Sequence, residues 1–129
     1  MSGLITINGN QDVDATVDAI LDKIKDAGFN VVAVVNHAES AAKVDLELRP
    51  TQVIIFGNPK VGTKLMQTNQ MAAIDLPQKI LVWEDEDGDT NITLNDPQYL
   101  AERHGLSGLG ELLTKVRGAM TNFAEGGKR

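Results

Sequence analysis

The chain of 129 residues contains no cysteine. Disulfide bonds, thiolate zinc sites, iron–sulfur clusters and cysteine nucleophiles are therefore excluded. We expect a cytoplasmic location, because a reducing compartment makes no use of disulfide bonds. The length fits one domain, and a domain of this size buries roughly two thirds of the surface that its unfolded chain exposes.

Long apolar runs and a net positive charge are also missing. No stretch reaches the ~18 apolar residues that a membrane-spanning helix needs, and residues 1–10 lack the basic segment and apolar core of a signal peptide. The formal net charge of -6 offers no positive field to phosphates. One Trp, one Tyr and three Phe are too few for a base-stacking platform. We therefore expect neither a membrane nor a nucleic acid as partner.

The start of the chain predicts a strand, a helix and a second strand. Residues 4–7 are the first strand, and the helix begins at Asp12 and ends at Gly28, which suits the left-handed conformation that stops a helix. Residues 29–35 contain the unbroken apolar run VVAVV. Such a run predicts a strand that is buried on both faces or lies near the centre of the sheet.

Two short segments follow the second strand. Residues 37–43, HAESAAK, predict one or two helical turns. Residues 44–50, VDLELRP, alternate apolar and charged side chains. They predict either a short strand or an extended arm that ends at Pro50.

The stretch VIIFGNPKVGTKLMQ predicts a strand that turns directly into a capped helix. Residues 53–56 are apolar and β-branched or aromatic, as expected of a strand. Asn58 then has the side chain of a helix N-cap, and Pro59 suits the first helical position. We expect a short helix that ends near Gln67.

The same stretch also resembles a phosphate-binding loop. Gly57 and Gly62 have the separation found in a Walker loop. However, Thr63 and Lys64 follow in the reverse of the order that such a loop requires, and Pro59 removes a backbone N–H donor. We therefore favour an ordinary turn between a strand and a helix.

A hairpin is predicted in the second half of the chain. Residues 79–84 and 91–94 flank Asp87-Gly88, a dipeptide favoured where a tight turn needs a positive φ. The acidic residues before Gly88 suggest calcium, but aligning Gly88 with the glycine of a calcium loop places Leu94 where the bidentate glutamate belongs. We expect a solvated hairpin tip.

Two helices complete the predicted fold. Asp96-Pro97 repeats the pattern of cap and proline, and Gly105 ends that helix. Ser107 is the predicted cap of the last helix, whose apolar side extends to Phe123. The whole predicts one α+β domain at residues 1–125, with four to six mostly antiparallel strands and helices on one face of the sheet. Residues 126–129 are predicted to be a disordered tail.

Three stretches of the sequence resemble a bacterial and archaeal family catalogued as domain of unknown function 302. They are NHAESAAKVDLELRPTQVIIFGNPKVGTKLMQ, IDLPQKILVWEDEDG and NDPQYLAERHGL. The resemblance covers roughly residues 10–120. It implies an α+β domain of TATA-box-binding-protein-like architecture, commonly a dimer, and it implies no activity. The family often has Tyr before the Asn-Asp-Pro element, where this chain has Leu94.

Our leading hypothesis is a homodimeric domain that binds a small molecule or a protein partner without catalysis. Polar and soft side chains lie in the segments that such a fold can bring to one cleft. The predicted ligand-binding residues are His37, Asn58, Met66, Gln67, Lys79, Trp83 and Tyr99. Lys79 shares a strand face with Leu81, so it is either a half-buried cation that needs a partner or an ordinary surface charge.

Two other functions remain open. His37 and His104 are the only imidazoles, so a metal or haem site would be built on them. A small-molecule enzyme would use His37 with Asp75 or Glu84 as acid and base. For Asp75 we favour the simpler alternative of an ion pair with Lys79 or a turn cap.

Overall fold

Five strands, five α-helices and a 3-10 helix make up residues 3–128, the part of the chain that the computed structural model describes. In chain order they are β1 (Leu4–Asn8), α1 (Val13–Asp26), β2 (Asn30–Asn36), α2 (His37–Ala42), β3 (Thr51–Gly57), α3 (Pro59–Thr68), the 3-10 helix (Gln70–Asp75), β4 (Gln78–Glu84), β5 (Thr90–Asn95), α4 (Pro97–His104) and α5 (Gly110–Gly126). Within this range no helix has both the length and the apolar character that crossing a membrane requires.

The strands form one sheet in the order β1-β5-β4-β3-β2, and every neighbouring pair is antiparallel. Because side chains alternate along a strand, apolar residues of four strands fall on one face. Opposite partners form an apolar row across that face: Ile5, Leu94, Ile80 and Ile54. The predicted α+β class with an antiparallel sheet is thereby confirmed.

Helices α1 and α5 cover this face of the sheet. The apolar stripe of α1 repeats every three or four residues and is fully buried. The stripe of α5 packs beside it. The buried members of the two stripes are Val13, Val17, Ile20 and Ile24 on α1, and Val116, Met120, Phe123 and Ala124 on α5.

Three predicted helix starts are confirmed by their caps. The side chains of Asp12, Asn58 and Asp96 each accept a hydrogen bond from a backbone N–H in the first turn, at 2.8, 3.1 and 2.9 Å. These bonds satisfy donors that a helix start otherwise leaves without a partner. Gly28 and Gly105 both have the positive φ that was predicted for helix ends, 80° and 60°.

The prediction for β2 was wrong in its position. This strand lies at the edge of the sheet, and Val32 and Val34 are 62% and 39% exposed. Its register with β3 shifts between Val31 and Ala33, so that Val32 has no direct partner. An unbroken apolar run indicates high strand propensity, but it does not indicate how many strands lie beside it in the sheet.

Residues 44–50, called the arm below, are exposed and do not form a strand; residues 44 and 45 belong to a turn after α2. The arm begins where Asp45 adopts a φ of 62° and Leu46 donates its N–H to Ala41 at the end of α2. It returns to the sheet at Pro50, whose carbonyl accepts the N–H of Glu84 at 3.0 Å. Of the two predicted alternatives, the strand is wrong, and residues 46–49 form the arm without helix or strand.

The last helix differs from its prediction at both ends. It begins at Gly110, and Leu109 precedes it without a side-chain cap. Ser107 does not cap it, because Gly108 inserts a turn with a φ of 79° between them. The helix also runs through Gly126, inside the predicted tail of residues 126–129.

Gly127, next in the chain, is buried and lies against the sheet and α1. A Cβ at this position would come within 2.8 Å of both Ile92 Cδ1 and Thr16 Cγ2. Asn10 donates a hydrogen bond to the carbonyl of Lys128. Residues 126–128 are therefore part of the folded domain; Arg129 lies outside the described residues.

We predict that Gly127→Ala lowers the free energy of unfolding by about 1–3 kcal/mol, because the added methyl group overpacks this contact. Gly118→Ala, inside α5, is the control, since a Cβ there meets nothing within 4 Å. The control should raise the free energy of unfolding by about 0.5–1 kcal/mol through helix propensity. Urea denaturation measures both; equal stabilisation by the two changes would contradict the close approach at Gly127.

Candidate functional site

An apolar cleft of about 560 Å³ opens between α3 and α5, where β3 ends and β4 begins. Gly57, at the end of β3, and Gln78, at the start of β4, both line it. Pro77 lies between them, and its Cβ is 3.3 Å from the position that a Cβ on Gly57 would take. Glycine at this position therefore leaves room for the proline ring at the cleft.

One wall of the cleft is α3. Its inward side contributes Val61, Gly62, Leu65 and Met66, a spacing that keeps them on one side of the helix. The start of the helix is held by Asn58, whose backbone carbonyl accepts the N–H groups of Val61 and Gly62 at 3.0 and 2.9 Å. The side chain of Asn58 accepts the N–H of Lys60. These amide donors therefore serve the helix start, as the predicted strand-to-helix turn requires.

The other wall is α5. Leu112, Lys115, Val116, Ala119 and Met120 line the cleft at the three- and four-residue spacing of one helix side. Val116 and Met120 are also part of the core between sheet and helices. The helix that closes the core thus also forms the cleft wall.

Aromatic contacts connect the cleft to the core. Phe29 lines the cleft, and its ring meets that of Phe123 edge to face at a centroid distance of 5.2 Å. Phe123 meets Phe56 in the same way at 5.7 Å. Edge-to-face pairs at these distances are favourable, so the three rings hold this end of the cleft in a defined shape.

The lining of the cleft is mainly apolar. Among residues 3–128, its lining contains no Asp, Glu or His, and the polar lining side chains are Asn30, Asn58, Thr63, Gln78 and Lys115. A pocket of several hundred Å³ with apolar walls and a few polar groups is the usual form of a small-molecule site.

Two of the predicted ligand-binding residues, Asn58 and Met66, line this cleft. Gln67, next on α3, is exposed and does not line it. His37 begins α2 and is exposed, and Tyr99 lies on α4 against Gly3. The structure does not bring these three side chains to the cleft, so their part in binding stays a prediction.

Lys79 and Trp83 lie on the sheet face opposite α1 and α5, because Ile80 and Val82 take the buried face. The ammonium of Lys79 donates to the carbonyl of Pro77 at 3.1 Å. Neither side chain lines the cleft. Of the two alternatives for Lys79, the structure supports the open face.

Sequence reasoning missed most of the cleft lining, including all of its α5 residues, such as Leu112 and Lys115. The apolar side of the last helix was recognised, but it was not assigned to the candidate site. One signal in the sequence is the length of this apolar side. Leu109, Leu112 and Leu113 precede the residues that pack on the sheet, so the helix has apolar residues for a second contact.

Asp75 pairs with α4 and not with Lys79. His104 Nε2 lies 2.5 Å from Asp75 Oδ2, and Arg103 adds a second contact at 3.1 Å. The prediction of an ion pair with Lys79 was therefore wrong; the end of the 3-10 helix directs the carboxylate towards α4 instead. The space beside this pair is about 10 Å³, so it holds no substrate.

The hydrogen bonds of Asp75 involve α4 and not His37. The carboxylate of Asp75 contacts His104 and Arg103, while His37 is exposed on α2. Within the described part of the chain, one group of three or more potential metal-binding side chains lies close together, Asp85, Asp87 and Asp89 at the hairpin tip. It includes neither histidine.

The hairpin tip is organised around Asp85. Its carboxylate accepts hydrogen bonds from the side chain of Asn91 and from the backbone N–H groups of Asp87 and Asp89, at 2.8, 3.0 and 3.0 Å. The hydrogen bond from the side chain of Asn91 is the main reason why the pKa of Asp85 lies below its ordinary value. The stabilisation that follows is present at neutral pH and is lost as the pH falls through the lowered pKa.

Comparison with known proteins places the chain in a family. Residues 5–124 match the sequence profile described as "Domain of unknown function DUF302". The chain is a member of this family. It also matches curated relatives from Brucella suis biovar 1 (strain 1330) and Brucella abortus biovar 1 (strain 9-941), both called fluoride-specific ion channel FluC 1, at 40% identity over 97% of this chain. The chain spans about half the length of these relatives, 51% and 48%.

A solved structure of the family supports the fold. The uncharacterised conserved DUF302 protein from Bacillus stearothermophilus superposes with a TM-score of 0.87, over 98% of this chain and 99% of the other. The identity is 18%, so the likeness concerns the fold alone.

We predict that His104→Ala lowers the free energy of unfolding by about 1.5–3 kcal/mol, because it removes a hydrogen bond to a carboxylate from a buried site. Arg103→Ala is the matched control on the same helix. Its side chain is 52% exposed, so the loss should stay within about 1 kcal/mol. Urea denaturation compares them; an equal effect would mean that His104 contributes no more than a surface charge.

Proposed function

We propose that this domain binds an apolar small molecule in the cleft between α3 and α5 and catalyses no reaction on it. The observation that supports this most directly is the cleft itself, about 560 Å³ with mainly apolar walls. Removing such a surface from water favours binding by roughly 25 cal/mol per Å² of apolar area. The ring contacts of Phe29 and the shared residues of α5 hold the walls in place before a ligand arrives, which lowers the entropic cost of binding.

The proposal of binding without catalysis is supported by the side chains at the cleft. General acid–base chemistry needs a titratable side chain within hydrogen-bond reach of the reacting atoms. Among the lining residues, Lys115 is the one titratable group. Asp75 and His104 are residue types that can act as acid and base. The space beside them is only about 10 Å³, which favours a role in holding the 3-10 helix to α4.

The names of the curated relatives suggest a setting for this domain. We propose that it serves as a ligand-binding unit in proteins of the fluoride-channel kind, and that the fluoride-conducting activity named for those relatives belongs to the half that this chain does not match. The cleft supports this division of roles, because a small anion is costly to bury against apolar walls.

We also propose a homodimer and a cytoplasmic location. The absence of cysteine supports the location. The dimer is supported by the arm, where Val44, Leu46 and Leu48 are 65%, 66% and 49% exposed. Glu47 and Arg49 flank Leu48 with opposite charges, so two antiparallel arms related by a two-fold axis would place each Glu47 opposite the Arg49 of its partner.

We predict that Gly62→Leu weakens the binding of Nile red, a neutral apolar dye, by about tenfold or more. Gly62 lines the cleft, and an added Cβ there meets only Met66 Cε, at 3.9 Å, so the leucine would fold into the space that the ligand needs. The matched control is Gly118→Leu, also inside a helix but outside the cleft. Fluorescence titration gives both affinities.

Two results would contradict the proposed binding site: equal affinities of both variants, or no binding by the wild-type protein. Calorimetry with sodium fluoride provides the complementary test. We expect no heat of binding, and saturable fluoride binding to this chain alone would contradict the division of roles.

We predict that Leu46→Asp converts the homodimer to a monomer, because it places a charge in the apolar contact of the arms. Ile74→Asp is the control, since Ile74 is 74% exposed and lies outside the arm. Light scattering after size exclusion measures both masses. A monomeric wild-type protein would overturn the dimer, and a dimer that only Ile74→Asp disrupts would move the interface away from the arm.

A further inference from the structure

We infer that the ligand of the cleft is amphipathic, with an apolar body between α3 and α5 and an anionic head group at Lys115. The inference rests on the proposed function, because it names the class of molecule that the proposed binding site accepts. Its basis is the position of one cation in the lining of an otherwise uncharged cleft.

Lys115 lies on the cleft side of α5, three residues after Leu112 and four before Ala119, which both line the cleft. It is exposed, so its ammonium stays in water while its methylene stem follows the apolar wall. In residues 3–128 no carboxylate lies within salt-bridge distance of it. Glu111, one turn earlier on α5, does not pair with it either.

The charge around the cleft contrasts with the charge of the protein. The chain has 18 acidic residues and a net charge of -6, yet none of the acidic residues in its described part lines the cleft. An anion near most of the surface is repelled, whereas an anion at the cleft meets a cation without a partner. Apolar walls with a single cation at the edge are complementary to a molecule with an apolar body and one negative head group.

Two side-chain amides add hydrogen-bond donors to the cleft. The oxygen of Asn58 is occupied by the N–H of Lys60, which leaves its NH₂ group available. Gln78, on the side of the sheet, has no side-chain hydrogen bond to any other described residue. The ammonium of Lys115 and the NH₂ group of Asn58 are donors, and the amide of Gln78 can present its own NH₂ group by turning its oxygen away. A carboxylate head group, which accepts hydrogen bonds and carries one charge, fits this set.

The test compares octanoate with octanol, two probes that share an apolar chain and differ in the charge of the head group. Isothermal titration calorimetry measures both on the wild-type protein at pH 7 and low salt. We expect octanoate to bind roughly fivefold tighter than octanol, which is the size of effect that a partly exposed ion pair produces. Added salt should weaken the binding of octanoate and leave octanol nearly unchanged.

Lys115→Gln should abolish the preference for octanoate without changing the affinity for octanol. Lys64→Gln is the matched control, because Lys64 is an exposed lysine of α3 that does not line the cleft. It should keep the preference. Both changes replace one good helix former by another, so folding should be retained.

The outcomes separate this inference from the proposed function. If both probes bind and Lys115→Gln leaves their affinity ratio as in the wild type, the anionic head group is wrong while the apolar site stands. If neither probe binds the wild-type protein, or if Gly62→Leu binds both as well as the wild type does, the proposed function fails and the inference fails with it.

Discussion

The burial of a single face of the sheet under α1 and α5 is the constraint on which the rest of the structure depends. Ile54, Ile80 and Leu94 are direct neighbours across three strands and are almost completely buried. Because side chains alternate along a strand, a slip of one residue would expose this row to water. The register of the sheet, and with it the positions of Gly57 and Gln78 at the cleft, follows from keeping the row covered.

On the opposite face of the sheet, side-chain hydrogen bonds connect the strands at the β1 end. The indole N–H of Trp83 donates to the hydroxyl of Thr93 at 2.9 Å. That hydroxyl lies 2.9 Å from the hydroxyl of Thr6, so it can accept from Trp83 and donate to Thr6. The side-chain bonds therefore connect β4, β5 and β1 in one row. Exposed apolar side chains occur elsewhere in the described part of the chain, among them Val32 on β2 and Leu46 in the arm.

Much of the fold follows from local chemistry in the sequence. Caps at Asp12, Asn58 and Asp96 and the hairpin glycine at Gly88 were predictable, because their hydrogen bonds or φ values involve residues close in the chain. The edge position of β2 was not predictable, because strand order depends on partners that are distant in sequence.

The same limit applies to the candidate site. Asn58 and Met66 were predicted, and they lie in one continuous stretch, Asn58 at the turn after β3 and Met66 in α3. The part played by Lys115 depends on where α5 packs, and hydrophobic periodicity does not say which element faces a helix. The partner of Asp75 was not predictable for the same reason, since His104 is 29 residues away and belongs to a different helix.

The pairing of Asp75 with His104 has a consequence for the cleft. Asp75 is followed directly by Leu76 and Pro77, and both of these line the cleft. The contact between these two side chains therefore links the segment at the cleft's edge to α4. If the cleft binds a ligand as proposed, a difference in affinity between the paired and unpaired states would shift the pairing by the same factor. In the described part of the chain no residue of α4 lines the cleft, so any effect of occupancy on α4 would pass through this contact.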